Sequence, residues 1–137
     1  MIVKQGSRVE GARGSQEYDL QSRLTDFALR VIDVAEALPS SMAAKHIAGQ
    51  LLRCGTAPPA NYAEALGAES RKDFVHKMRI GLKELRETLV WLKMIERRPL
   101  IRPSSKMQLI IRECNELIAI FAASVGTARK NIEKGRP

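Results

Sequence analysis

One long amphipathic segment, residues 71–98, constrains the fold of this chain more than any other feature of the sequence. At about 100° per residue, six of its apolar residues fall in a single stripe. The members of that stripe are Phe74, Met78, Leu82, Leu85, Leu89 and Leu92. Because such a stripe must be buried against other elements, the segment predicts a long helix packed within a helical protein.

Two flanks of this helix carry the candidate functional residues. One flank lies about 80–160° from the apolar stripe and carries positive charge without acid. Its cations, which we predict to bind nucleic acid, are Lys72, Arg79, Lys83, Arg86, Lys93 and Arg97. The other flank extends the apolar surface with Ile80, Trp91 and Ile95. Two interpretations of it stay open: a wide contact inside the protomer, or an interface between copies, where tryptophan is a common anchor.

Prolines and small polar residues mark the first two helices. The pattern predicts a first helix from about Asp19, as its cap, to the residue before Pro39. A second helix follows, and within it Pro58 and Pro59 lack N–H donors and clash with the preceding turn. This helix must therefore kink, or stop and restart with Thr56 as the new cap.

The remaining signals complete an all-α, antiparallel up-down-up-down four-helix bundle with a kinked second helix. Ser70 is the predicted cap of the third helix, and residues 104–105 begin the fourth. Alternating β-branched runs and hairpin turns, which would indicate strands, are absent from the sequence. We predict a flexible tail over residues 1–17, the bundle over 18–132 and a frayed end over 133–137.

The charge of the chain points to an anionic partner. The net charge is +8, and 45% of the residues are hydrophobic, which allows a well-buried core. A charge of this size favours a nucleic-acid partner, although it is also compatible with solubility alone. No apolar run reaches the ~18 residues of a membrane span, and the N-terminus lacks the apolar core of a signal peptide. We therefore expect a cytoplasmic protein without membrane contact.

The sequence gives little support for catalysis. A di-metal bundle site requires a Glu-x-x-His pattern, and neither His46 nor His76 has a carboxylate three residues before it. Cys54 and Cys114 lie on apolar helix faces, which is typical of structural thiols. Since the glycine-rich phosphate loop is also missing, we expect no enzyme activity, metal site or cofactor.

Asn61 and Glu64 form a further polar feature directly after the two prolines. They can satisfy backbone groups that Pro58 and Pro59 leave free, or they can mark a functional surface. The sequence leaves their role open.

The segment around these residues resembles a known family. Residues 50–65 read QLLRCGTAPPANYAEA, similar to a Gln-Leu-x-Arg-x-Gly-Thr-Ser stretch followed by Ala-Asn-x-x-Glu-Ala. That pattern is typical of a bacterial four-helix-bundle family. The family includes proteins encoded in intervening sequences of large-subunit ribosomal RNA genes and accessory variability proteins of diversity-generating retroelements. Leu85, Glu87 and Leu92 also occupy matching places, and the similarity covers roughly residues 18–130. Ala57 and Pro58 depart from the pattern, where serine and a β-branched residue are usual.

The resemblance implies a four-helix protomer that forms a ring-like homo-oligomer, a homopentamer. For retroelement members it implies a basic surface that engages nucleic acid and a reverse transcriptase. Together with the charge pattern, it predicts a non-enzymatic, homo-oligomeric accessory protein that binds RNA or DNA without sequence specificity. The alternative is a protein-interaction scaffold that recruits an acidic or enzymatic partner such as a reverse transcriptase.

Overall fold

The computed structural model describes residues 16–135, and these contain helices and no strand. The helices are α1 Gln16–Ala37, α2 Met42–Gly55, α3 Pro58–Leu66, α4 Arg71–Arg97 and α5 Lys106–Glu133. The predicted all-α class is confirmed, with α2 and α3 standing where one second helix was expected. The tail predicted over residues 1–17 lies outside the described residues, except that residues 16–17 belong to α1.

The helix boundaries follow from local capping. The Ser41 hydroxyl accepts a hydrogen bond from the Ala44 N–H at 3.2 Å, and the Ser70 hydroxyl accepts one from the Asp73 N–H at 3.0 Å. Both bonds satisfy donors that the first turn of a helix leaves free. The prediction that Asp19 caps the first helix is wrong, because α1 begins three residues earlier at Gln16.

The double proline separates α2 from α3. Thr56 closes α2, since its hydroxyl donates to the Leu52 carbonyl at 2.6 Å. Ala57 rather than Thr56 precedes α3, so the expectation that Thr56 caps the restarted helix is wrong. Pro58 occupies the first position of α3, where a missing N–H costs no hydrogen bond.

A single hydrophobic core joins all five helices. Its largest fully buried side chains include Phe27, Leu51, Leu85, Leu92 and Phe121. This burial confirms that the apolar stripe of the long helix faces inward.

Specific contacts set the direction in which neighbouring helices run. On α4 and α5, the Cys114 thiol donates to the Leu85 carbonyl at 3.4 Å, and Gly81 lies against the ring of Phe121. Residue numbers thus fall along α4 while they rise along α5, so these two helices are antiparallel. An ion pair from Arg23 to Glu113 at 2.7 Å links α1 to α5.

Candidate nucleic-acid interface

The six predicted cations of α4 all lie on the solvent-exposed side of the helix. We call this set the basic face: Lys72, Arg79, Lys83, Arg86, Lys93 and Arg97. Among the described residues, none of the six takes part in an ion pair. From Lys72 to Arg97 the chain advances 25 residues, which correspond to about 37 Å of helix at 1.5 Å per residue. The basic face is therefore a long row of positive charge whose members keep their donors available to a partner.

Two of the four carboxylates of α4 are directed toward a neighbouring helix instead. Glu84 and Glu87 both form ion pairs with Arg53 of α2, the Glu84 pair at 3.4 Å. Hydrogen bonds from Arg53, and next from Trp91, lower the pKa of the Glu87 carboxyl below its usual value. Arg53 is thus already engaged within the protomer.

A cation of α5 adds to the basic face. Arg129 lies with Lys72, His76 and Arg79 around a shallow pocket of about 280 Å³. Glu133 lines the same pocket and is the one carboxylate there. Sequence reasoning missed Arg129 because it lies more than thirty positions beyond the end of the amphipathic segment 71–98. Only the antiparallel pairing of α4 with α5 brings it near.

An apolar groove lies beside the C-terminal end of the basic face, next to Lys93 and Arg97. It has a volume of about 950 Å³ and lies between the start of α2 and the end of α4. Its lining includes Ile47, Val90, Met94 and Leu100 together with the cations Lys93, Arg97 and Arg98. Val90 is 51% exposed and Met94 45% exposed. A helical wheel could have revealed this feature, because Val90 falls at about 140° from Leu85, among the cations.

The apolar flank predicted as an oligomer interface contributes mainly to the protomer itself. Ile95 is fully buried in the core, so it has no surface to offer a second copy. Trp91 is half-buried, donates from Nε1 to Glu87 at 3.0 Å and meets the ring of His46 edge-on at 5.8 Å. Ile80 is also half-buried. The placements of Trp91 and Ile95 favour the wide contact inside the protomer, whereas Ile80 lies outside the core cluster and stays a predicted interface residue.

Asn61 and Glu64 have different environments and do not form a shared polar site. Glu64 pairs with Lys77 of α4 at 3.4 Å. The Oδ1 atom of Asn61 is buried and accepts no hydrogen bond within the described residues. The backbone groups that Pro58 and Pro59 leave free are carbonyl oxygens, and the Asn61 Oδ1 atom, which is also an acceptor, does not satisfy them.

The two cysteines are buried, reduced and unsuited to nucleophilic chemistry. Burial raises the pKa of the Cys54 thiol, and it raises that of Cys114 to about 12. The expectation of structural thiols is confirmed. In the described part of the chain, no three His, Cys, Asp or Glu side chains are grouped so that they could hold a metal ion. No helix within residues 16–135 is long and apolar enough to span a membrane.

The fold and this surface define a small all-α protein with a cationic helix face. Residues 16–123 match the family described as 23S rRNA-intervening sequence protein, and the chain belongs to that family. This match bears out the intervening-sequence part of the resemblance, while the retroelement link stays a prediction. No curated protein matches the chain.

A solved structure supports the same fold. It is the crystal structure of a protein with unknown function from the S23 ribosomal protein family of Bacteroides thetaiotaomicron. That protein is 28% identical to this chain, and the superposition has a TM-score of 0.72. The match covers 80% of this chain and 97% of the other.

Proposed function

We propose that this protein is a non-enzymatic, homo-oligomeric RNA-binding accessory protein that contacts phosphates through the basic face of α4. One observation carries the proposal: six exposed cations line one helix and none has an ion-pair partner among the described residues. Each such cation can release a counterion when it neutralises a phosphate, which is the main driving force of nucleic-acid binding by basic surfaces.

The direction of the α4 carboxylates supports this use of the surface. A solubilising face would be served equally well by mixed charges. Here Glu84 and Glu87 instead face Arg53, so the basic face keeps its full positive potential. The family, named for 23S rRNA intervening sequences, makes RNA the favoured nucleic acid.

Binding through this surface is expected to depend little on sequence. Aromatic residues make up only 4% of the chain, which leaves few rings for base stacking. The ring of Trp91 is occupied by contacts with His46 and Glu87. Phosphate contacts position a protein on nucleic acid without reading its bases.

The proposal extends to the assembly. We keep the antiparallel up-down-up-down bundle, with α2 and α3 as the two parts of the kinked second helix, as the protomer of a cytoplasmic homopentamer. The alternative function is that of a protein-interaction scaffold. In that role the protein would recruit an enzymatic partner such as a reverse transcriptase, as in the retroelement members. The exposed apolar groove beside Val90 favours keeping that alternative, since apolar surface of this kind can bind protein.

Fluorescence anisotropy of labelled RNA and DNA oligonucleotides, measured from low to moderate salt, tests the RNA-binding proposal. The logarithm of the binding constant should fall with the logarithm of salt concentration, with a slope of about −0.7 for each phosphate neutralised on a single strand and about −4 when all six cations of a protomer contact phosphate. The Lys83→Glu/Arg86→Glu variant places two carboxylates in the middle of the basic face and should abolish binding at moderate salt.

A matched control is available on α5. The Lys106→Glu/Arg112→Glu variant changes the net charge equally, and both of its residues are exposed outside the basic face. It should retain most of the wild-type affinity. An affinity that is independent of salt, or equal losses in the two variants, would contradict the proposal.

A further inference from the structure

The apolar groove has a composition that selects its occupant. Its lining combines apolar side chains such as Ile47 and Val90 with three cations, which we call the rim cations: Lys93, Arg97 and Arg98. Among the described residues, none of the three rim cations has an ion-pair partner. A helix that presents an apolar side chain between carboxylates would complement both parts of this surface.

The exposed side of α1 has that composition. Leu29 is 54% exposed, and Asp26, Asp33 and Glu36 lie within about 80° of one another around it on the helical wheel. We call these four residues the acidic face of α1. None of its three carboxylates is paired within the described part of the chain. Of the two cations of α1, Arg23 pairs with Glu113 and Arg30 is half-buried to one side of this face.

The two surfaces also agree in size. The acidic face spans residues 26–36, about 15 Å of helix, and the α4 side of the groove spans residues 90–98, about 12 Å. Three carboxylates would meet three cations, and Leu29 would lie between Val90 and Met94. Within one copy, the acidic face is exposed to solvent and is not in its own groove.

We propose that the acidic face of α1 in one copy docks into the apolar groove between α2 and α4 of a second copy. Because the two surfaces are different, the contact is heterologous: each copy uses its acidic face on one neighbour and its groove on another. Repetition of such a contact produces a closed ring, or a filament when the rotation does not close.

This inference specifies how the copies in the proposed homo-oligomer touch, and it does not depend on RNA binding. It places the contact on exposed residues rather than on Trp91 and Ile95, which pack in or against the core of the protomer. The dock occupies Lys93 and Arg97 and leaves Lys72, Arg79, Lys83 and Arg86 of the basic face accessible.

Sedimentation velocity on charge-reversed variants of the full chain tests the proposal. The wild type should associate above its 15.3 kDa protomer mass. Asp33→Lys/Glu36→Lys and Arg97→Glu/Arg98→Glu should each weaken self-association at least about tenfold, because like charges would face each other. The variant with all four changes should recover association, since every interface then pairs a basic α1 with an acidic rim.

Controls separate this interface from general charge effects and from RNA binding. Glu69→Lys and Lys106→Glu each reverse an exposed charge elsewhere and should associate like the wild type. Lys83→Glu/Arg86→Glu should stay assembled while it loses RNA, so the two proposals can fail separately. Circular dichroism verifies that each variant is folded.

Two results would overturn the proposal. A four-change variant that associates as weakly as its parents would show that the two surfaces do not meet. A wild type that stays monomeric would leave the groove to a different, acidic protein.

Discussion

Gly81 lies where the backbone of α4 passes the ring of Phe121. A Cβ atom added at Gly81 would lie 2.6 Å from Cε2 of that ring and 3.3 Å from the Cβ of Asn61. Phe121 is fully buried, so its ring has little space into which it can move. The absent side chain therefore permits close packing of α4 against both α5 and α3.

We predict that Gly81→Ala lowers the free energy of unfolding by about 1–3 kcal/mol through overpacking, although alanine has the better helix propensity. Urea denaturation followed by circular dichroism measures the change. Gly126→Ala is the control, because no atom lies within 4 Å of its added Cβ. That variant should be more stable than the wild type by about 0.5–1 kcal/mol. Equal stability of Gly81→Ala and the wild type would show that the Phe121 ring can move aside.

Glu87 connects α2 to α4 through a charge that acid removes. Its carboxylate accepts hydrogen bonds from Arg53 and Trp91, which lower its pKa in the folded state. A group with a lowered folded pKa stabilises the fold above its unfolded pKa, about 4.3 for glutamate. That contribution is lost as the pH falls through the folded pKa.

We therefore predict that Glu87→Gln is less stable than the wild type at neutral pH and that the difference narrows as the solution is acidified below about pH 4.3. Urea denaturation at a series of pH values measures this convergence. Glu69→Gln, at an exposed residue without an ion pair in the described structure, should follow the wild type throughout. A difference in the free energy of unfolding between Glu87→Gln and the wild type that is independent of pH would contradict the role assigned to the carboxylate.

At the scale of the helices, periodicity and capping predicted most of what is seen. Ser70 begins α4 because its hydroxyl satisfies a free N–H, a purely local interaction. The break at Pro58 was also predicted, since proline chemistry is local. The residue that caps α3 was not predicted correctly. The Thr56 hydroxyl can donate backward to the Leu52 carbonyl or accept from an N–H of the following helix, and the local sequence does not decide between the two.

For the candidate site too, features that depend on one helix were predicted, and features that depend on the packing of several helices were not. A helical wheel identified all six exposed cations of the basic face, since exposure on one helix follows from its own pattern. It also placed Ile95 on an outer flank. Ile95 is buried because more than one neighbouring helix packs on α4. The apolar pattern of one helix does not indicate how many other helices pack against it. Arg129 was missed for the related reason that its proximity depends on the packing of two helices.

At the scale of the whole molecule, the charges are separated onto different sides. The exposed side of α1 presents carboxylates around Leu29, whereas that of α4 presents the basic face. A protomer of this kind can attract its own copies and a polyanion at the same time. The two partners would share Lys93 and Arg97, which belong to both the basic face and the rim of the groove. Self-association and RNA binding should consequently be coupled.

The Leu29→Ser variant tests this coupling, because it removes the apolar centre of the acidic face without changing any charge. In the assembled wild type, docking withdraws two of the six cations from RNA. For a short single-stranded oligonucleotide that spans one basic face, the salt slope of binding should then be shallower by about 1.4 than in the dissociated variant. Anisotropy titrations at protein concentrations above the association midpoint measure both slopes. Leu109→Ser, at a leucine of α5 that is 63% exposed, should keep the wild-type slope. If the Leu29→Ser protein dissociates and its salt slope of binding is no steeper than that of the wild type, docked copies leave Lys93 and Arg97 free for phosphate.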